Sequence, residues 1–368
     1  MSEEKLVPKL RFSGFEDEWS EVKLGDISTF LDNKRVPLKE DDRKQMRGEY
    51  PYYGASGIID YIDDYIFDEE LILMGEDGAN IVTRSSKLIF LAKGKYWVNN
   101  HAHVIKANSD INQYFLSESL ERINYEKYNT GTAQPKLNRE VCQKIKVKIP
   151  EYSEQNKIAS FLAKIDQKIE LLEHKHEKYH NFKKYLMQQI FAQKLRFDFV
   201  EVKLKDISKI NKGEQLNKDV MIEDGKYYVL NGGKDPSGYT NEWNVSENTI
   251  TISEGGNSCG YVNFNTEKFW SGGHCYYLSN LDENVDDYYL YNYLKFKEKF
   301  IMHLRVGSGL PNIQKRDIEN IKIQIISKNN QNKISNLFLF VDKKINSIQI
   351  QKENFENFKK GLLQQMFV

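Results

Sequence analysis

Between about Glu154 and Gln193 the chain carries neither Pro nor Gly, and apolar residues fall at Ile158, Leu162, Ile165, Ile169 and Leu172. Steps of four and three keep one helical face apolar every seven residues, so the spacing predicts a long amphipathic helix with a coiled-coil seam. The seam runs on through Tyr179, Phe182, Leu186 and Ile190, with a slip near 182 that marks a stutter. Moving each position by 176 residues lands on Ile334, Phe338, Val341, Ile345, Ile348, Phe355, Phe358, Leu362 and Met366, all apolar. A second helix of the same design is therefore expected. His176 and Lys352 interrupt both seams at the same place, and two readings stand: a polar residue that fixes register, or a side chain that snorkels to the edge. Pro150 and Glu151 mark the first helix's entrance, with Ser153 as its expected N-cap.

At about 1.5 Å per residue such helices run about 60 Å, and apolar stripes of that length need partners. The expectation is that the two pair with each other, antiparallel. A bundle formed with other chains is the alternative.

The offset extends to the polar residues: Asn181-Phe182-Lys183-Lys184 returns as Asn357-Phe358-Lys359-Lys360 (357 minus 181 is 176), and Gln155-Asn156-Lys157-Ile158 as Gln331-Asn332-Lys333-Ile334. Before each helix lies a part of different texture, about 17 to 149 and 198 to 327. Short apolar or alternating runs such as 71–74, 87–91 and 249–252 are bounded there by Gly, Asn, Asp and Ser, which predicts strands, with helices only at 111–128 and 286–305. These parts match in patches: Glu21-Val22-Lys23-Leu24 recurs as Glu201-Val202-Lys203-Leu204, Glu76 and Gly78 as Glu254 and Gly256, Trp97 and His101 as Trp270 and His274. The drifting offset places insertions and deletions in loops, where recognition normally resides. The fold expected is α+β with a pseudo-two-fold internal repeat: a first strand-rich domain at 1–150 with an arm at 1–16, a long helix at 151–193, a second domain at 194–327 and a long helix at 328–368. Lys9-Leu10-Arg11-Phe12 echoes Lys194-Leu195-Arg196-Phe197, so the two termini are expected to lie near each other.

Composition narrows the picture only a little. At 40% hydrophobic and 12% aromatic, 368 residues can fill two cores. No apolar run reaches eighteen residues and the start lacks the order of a signal peptide, so a cytoplasmic protein with no membrane partner is expected. Cys142, Cys259 and Cys275 fit neither a disulfide framework nor a zinc knuckle. A formal net charge of zero argues against binding DNA by a uniformly basic surface and leaves local patches open.

Catalytic tools are missing. Gly94-Lys95, Gly225-Lys226 and Gly233-Lys234 are followed by Tyr, Tyr and Asp, so no phosphate-cradling loop is formed. The seven prolines never stand side by side, which removes the Pro-Pro pair expected of an amino-methyltransferase. His101 and His274 lack metal-ligand spacing, and Glu76 and Glu254 lack an acid-base partner. No metal, cofactor or catalytic residue is expected in this chain. The turns instead offer short hydrogen-bonding side chains that suit phosphates or base edges. In the first copy the candidates are Asn80, Thr83, Arg84, His101, Thr130, Gln134 and Lys136; in the second they are Asn257, Ser258, His274, Arg305, Ser308 and Asn312. An ordinary polar hairpin is the alternative at each of them.

Taken in the order domain, helix, domain, helix, the chain resembles the specificity subunit of type I restriction-modification systems. The resemblance covers essentially the whole chain and is anchored by Gly-Thr-Ala-Gln-Pro-Lys-Leu at 131–137, Glu154-Gln155-x-Lys157-Ile158-Ala159 and Asp166-x-x-Ile169. It departs in the second copy, where Asn330-Gln331-x-Lys333-Ile334-Ser335 stands and the turn has no Gln. The resemblance implies a non-catalytic reader of double-stranded DNA with two target recognition domains, one for each half of a split site, and helices that set the gap. It also implies two modification subunits that use S-adenosylmethionine to methylate adenine, and two restriction subunits that use ATP and Mg2+. An enzyme built on the Gly-rich loops and a purely structural coiled-coil adaptor are the competing classes.

Overall fold

The computed structural model describes residues 5–131, 134–307 and 311–368. Two unbroken helices, Tyr152–Phe191 and Lys328–Met366, stand where the heptads predict them. Each starts on a backbone acceptor: the Glu151 carbonyl takes the Glu154 and Gln155 amides at 3.1 Å, and the Ser327 carbonyl takes those of Asn330 and Gln331 at 2.9 and 3.0 Å. Ser153 therefore lies inside the first turn and is not the N-cap, which falls at Glu151.

The chain divides into two compact units, Met1–Leu171 with Lys352–Val368, and Leu172–Gln351, so each long helix contributes one stretch to each unit. Within the first unit Lys359 meets Asp166 at 2.7 Å and Lys168 lies over the Phe355 ring. Within the second, Lys183 meets Asp342 at 2.7 Å and Phe191 stacks on Phe338 with ring centroids 5.8 Å apart, within the range of aromatic pairs. In both, numbers rise along one helix as they fall along the other, so the helices pair antiparallel in each unit. Of the predicted seam residues Ile158, Leu162, Ile165, Leu172, Ile334, Phe338, Val341, Ile345 and Ile348 are buried, and Ile169 is partly buried.

The seam departs from the expected one at a single position in each helix, and beyond it Ile190, Leu362 and Met366 are buried as expected. Phe182 and Phe358 are 46% and 52% exposed, and their neighbours Lys183 and Lys359 point inward instead. With Lys183 and Lys359 in the seam, positions 179, 183, 186 and 190, and 355, 359, 362 and 366, keep steps of four, three and four, so the heptad runs on where the sequence suggested a stutter. Each lysine stem then packs while its ammonium pairs with an aspartate on the other helix.

The strand-rich parts share a plan. A two-stranded ladder closes each one, Ser20–Lys23 with Lys146–Ile149 and Val200–Lys203 with Lys322–Ile325. Each has a four-stranded antiparallel sheet in the same order: Ser28–Phe30, Ala102–Ala107, Leu71–Gly75, Ile89–Ala92 in the first, and Lys209–Lys212, Cys275–Ser279, Thr249–Ser253, Val262–Asn265 in the second. Leu71 to Met74 read as a continuous apolar run because the strand is covered on both faces. A further sheet differs, with four strands in the first copy and three in the second. The helix expected over 111–128 is confined to Gln113–Glu121 plus a turn at Glu126–Tyr128, and that over 286–305 is broken into Asp287–Phe296 and Glu298–His303.

The resemblance anchors are joints of this scaffold. Gln155 accepts the Asn112 amide at 2.9 Å and donates to the Pro150 carbonyl; Gln331 accepts the Asp286 amide at 2.9 Å and donates to the Ile326 carbonyl. Asn112 and Asp286 in turn cap the helices that follow them. The ends obey the repeat as well. Leu195 donates to the Gln189 carbonyl at 2.8 Å, and Leu10 donates to the Gln365 carbonyl at 2.9 Å, so the N-terminal arm closes the second helix as the linker closes the first.

Candidate functional site

In each copy two turns lie side by side, stitched by the same backbone bonds. In the first, Gly78 donates to the Pro135 carbonyl at 3.0 Å, Leu137 donates to the Glu76 carbonyl at 2.8 Å, and Glu76 donates to the His101 carbonyl at 2.9 Å. In the second, Gly256, Ile313 and Glu254 make the equivalent bonds to Pro311, Glu254 and His274 at 3.1, 2.8 and 2.9 Å. Gly78 and Gly256 both take positive φ, +105° and +73°, which the tight reversal requires. Gly131 is fixed by space instead: a Cβ there would stand 1.8 Å from the Gln134 carbonyl oxygen.

These turns bring together His101, Thr130, Gln134 and Lys136 in the first copy. His101 is exposed and holds Asp77 at 2.7 Å, Thr130 bonds the Lys136 carbonyl, Gln134 is exposed, and Lys136 reaches Glu76 at 3.2 Å. In the second copy Asn257, His274 and Arg305 are exposed, Ser258 and Asn312 are partly so, and the Asn312 backbone pairs with Val306. Ser308 lies outside the described residues, as do Thr132 and Ala133 of the first turn.

Two candidates are spent on structure. Arg84 bonds the Glu121 carbonyl and carboxylate at 2.6 and 2.7 Å and lies over the Tyr125 ring, so its guanidinium is committed to the adjoining helix. Asn80 closes its own loop through Ser86 and Lys87, with Thr83 exposed beside it. Trp97 and Trp270 are likewise structural, donating to the Val36 and Glu214 carbonyls.

Sequence reasoning missed the charged groups beneath the turns. Arg35 donates to Glu76 at 2.6 Å and to the Ala102 carbonyl at 2.9 Å, and His103 lies buried between Asp32 and the Leu137 carbonyl. Burial works against the charge of Glu76, but the Arg35 hydrogen bond and the nearby His103 hold its carboxyl below the ordinary value. The signal was available. Extending the Trp97/Trp270 match by six residues aligns His103 with Tyr276, and the offset of 180 at the first motif aligns Asp32 with Lys212.

Among the described residues no group of three His, Cys, Asp or Glu side chains could hold a metal ion, and no helix is long and apolar enough to cross a membrane. The described residues of the paired turns present exposed hydrogen-bond donors and acceptors.

Comparison with known proteins places this architecture. A Haemophilus influenzae protein described as a type I restriction enzyme specificity subunit is 35% identical over 149 residues, 40% of this chain and 37% of that protein. A type I restriction enzyme specificity subunit of Methanocaldococcus jannaschii is 25% identical over 226 residues, 58% of this chain and 51% of its own length. The chain thus spans about a third to two thirds of the length of the curated relatives it matches. The crystal structure of a type I restriction-modification system S subunit from M. genitalium shares the fold, with a TM-score of 0.77 at 18% identity over 98% of this chain and 99% of that one. The family model for the type I restriction modification DNA specificity domain matches twice, at residues 16–179 and 197–355. The chain belongs to this family of type I restriction-modification DNA specificity proteins.

Proposed function

We propose that this protein is the DNA-reading subunit of a type I restriction-modification complex, in which each strand-rich part reads one half of a split, asymmetric site and the long helices set the gap. The observation that carries the reading is the pair of stitched turns, built twice on one backbone plan around matched His101 and His274 with otherwise different exposed side chains: Thr130, Gln134 and Lys136 in one copy, Asn257 and Arg305 with the partly exposed Asn312 in the other. A shared frame with unlike contacts suits two unlike half-sites. The parts divide as 1–150 and 194–327 for reading, with 151–193 and 328–368 as helices.

The chain itself does no chemistry in this scheme. Two modification subunits bring S-adenosylmethionine and methylate adenine, and two restriction subunits bring ATP and Mg2+; the complex works in the cytoplasm. Partner subunits also supply phosphate contacts, which is why a chain of zero net charge can serve.

Sequencing of methylated DNA tests the proposal. Cells carrying the complex should show methyladenine in a two-part motif with one fixed spacer, and deletion of this chain should abolish it. Persistence of the pattern without the chain refutes the reading. Inserting one helical turn after both Lys168 and Lys344 should lengthen the spacer and leave both half-sites unchanged; altered half-sites would contradict the role given to the helices.

A further inference from the structure

His103, 1% exposed, faces two acceptors: its Nδ1 lies 2.7 Å from Asp32 Oδ2 and its Nε2 2.8 Å from the Leu137 carbonyl oxygen. Each ring nitrogen must carry a proton to satisfy both, so the ring is an imidazolium. Burial alone would push it down, but the Asp32 hydrogen bond and the neighbouring Cys142 hold its pKa up at about 10. Asp32 accepts the Val104 amide as well and is kept ionised below its ordinary value, against its burial, by His103 and Arg35.

Leu137 is thereby gripped from both sides, its amide on the Glu76 carbonyl and its own carbonyl on His103. In the second copy Ile313 is gripped in the same way. Its amide meets the Glu254 carbonyl, and its carbonyl lies 3.3 Å from the Tyr276 hydroxyl, which also stands 3.0 Å from Glu254 Oε1. Lys212, at the position of Asp32, pairs with Glu254 at 2.7 Å. A buried acid with a cationic ring has been exchanged for a base with a neutral ring. The buried carboxylate is answered by a base in each copy, Glu76 by Arg35 and Lys136 and Glu254 by Lys212.

We propose that Glu76 with His103 and Asp32, and Glu254 with Tyr276 and Lys212, are equivalent positioning centres that set the paired turns for half-site reading, built with opposite charge chemistry in the two copies. The inference rests on the reading of those turns as DNA-contacting. His103, Tyr276, Asp32 and Lys212 are positioning residues, because they act through the turns.

The test combines amide exchange and methylation sequencing on the full chain assembled with its modification subunits. His103→Tyr leaves Asp32 facing Arg35 alone and takes the imidazolium off the Leu137 carbonyl, so amides of the Thr130–Leu137 turn should exchange about tenfold faster or more, the loss of a charge-assisted bond. Adding Asp32→Asn, which removes the carboxylate that lost its imidazolium and keeps an acceptor for the Val104 amide, should bring exchange back to within about threefold of the native chain, a rescue that simple loss of packing would not permit. Tyr276→Phe removes one hydroxyl without changing volume, and should loosen Val306 and Ile313 while leaving the first turn unchanged. In cells, His103→Tyr should reduce methylation about tenfold and the double variant should restore it. Unchanged exchange in both single variants, or a double variant no better than His103→Tyr, overturns the proposal. Faster exchange with an unaltered methylation pattern keeps the positioning centres and overturns the turns as DNA contacts.

Discussion

In the first unit Lys359 lies between Glu118 at 2.9 Å and Asp166 at 2.7 Å, with the Tyr114 hydroxyl on Asp166. In the second unit Lys183 meets Asp342 at 2.7 Å with the Tyr288 hydroxyl on it, and Asn292 occupies the place of Glu118. The aspartate, the lysine and the tyrosine recur, and the second carboxylate does not. The difference teaches what duplication keeps: the polar contact that sets helix register is retained in both copies, while its surroundings drift wherever charge can be rebalanced. Beneath the turns the same rule holds with the roles exchanged, His103 and Asp32 against Tyr276 and Lys212.

Removing the lysines breaks the comparison most sharply. Lys359→Met strands two carboxylates and should cost about 3 kcal/mol in chemical denaturation, whereas Lys183→Met strands one and should cost about 1 kcal/mol. Equal losses would show that Glu118 contributes nothing. A second contrast comes from the helix entrances. Arg11 pairs with Glu154, which is fully buried, at 2.7 Å, and the carboxylate holds the guanidinium above its ordinary pKa. Asn330 stands at the equivalent position and Arg196 is exposed. Arg11→Met should therefore destabilise the protein by about 2 kcal/mol, and Arg196→Met by less than about 0.5 kcal/mol.

Much of this was legible in the sequence, because helix pairing is written in local periodicity. The heptads gave both long helices to within two residues, and the repeat identified the equivalent turns. Phe182 and Phe358 misled because they are apolar, whereas the unbroken count of four and three places Lys183 and Lys359 on the inward face. Arg84 misled for a different reason. Its partner Glu121 is 37 residues away, and a pairing at that distance leaves no local trace. The contact of Asp32 with His103 spans 71 residues and was hidden in the same way, although the substitution of both in the second copy records it.

A pH series sharpens the comparison of the two buried centres. The pKa of His103 is raised from 6.5 to about 10, so the stability it adds is fully present below about 6.5, declines above that, and is lost as the pH rises through about 10. The gap in Tm between the native chain and His103→Gln should therefore narrow towards zero at alkaline pH. No such narrowing is expected for Tyr276→Phe, because burial and Glu254 push that hydroxyl up beyond this range. The smallest effect belongs to circular permutation. Because Leu10 bonds Gln365 as Leu195 bonds Gln189, a chain joined at its termini and cut at residue 196 should fold with a Tm within a few degrees of the native one and still assemble with its partners. Loss of assembly in that permutant would count against the equivalence of the two junctions.

The most direct test exchanges residues 17–149 for the corresponding part of another family member and reads the methylated motif of the hybrid. Two independent readers on a common scaffold predict that one half of the motif changes while the other half stays and the spacer is kept. A change in both halves, or in neither, would contradict the account.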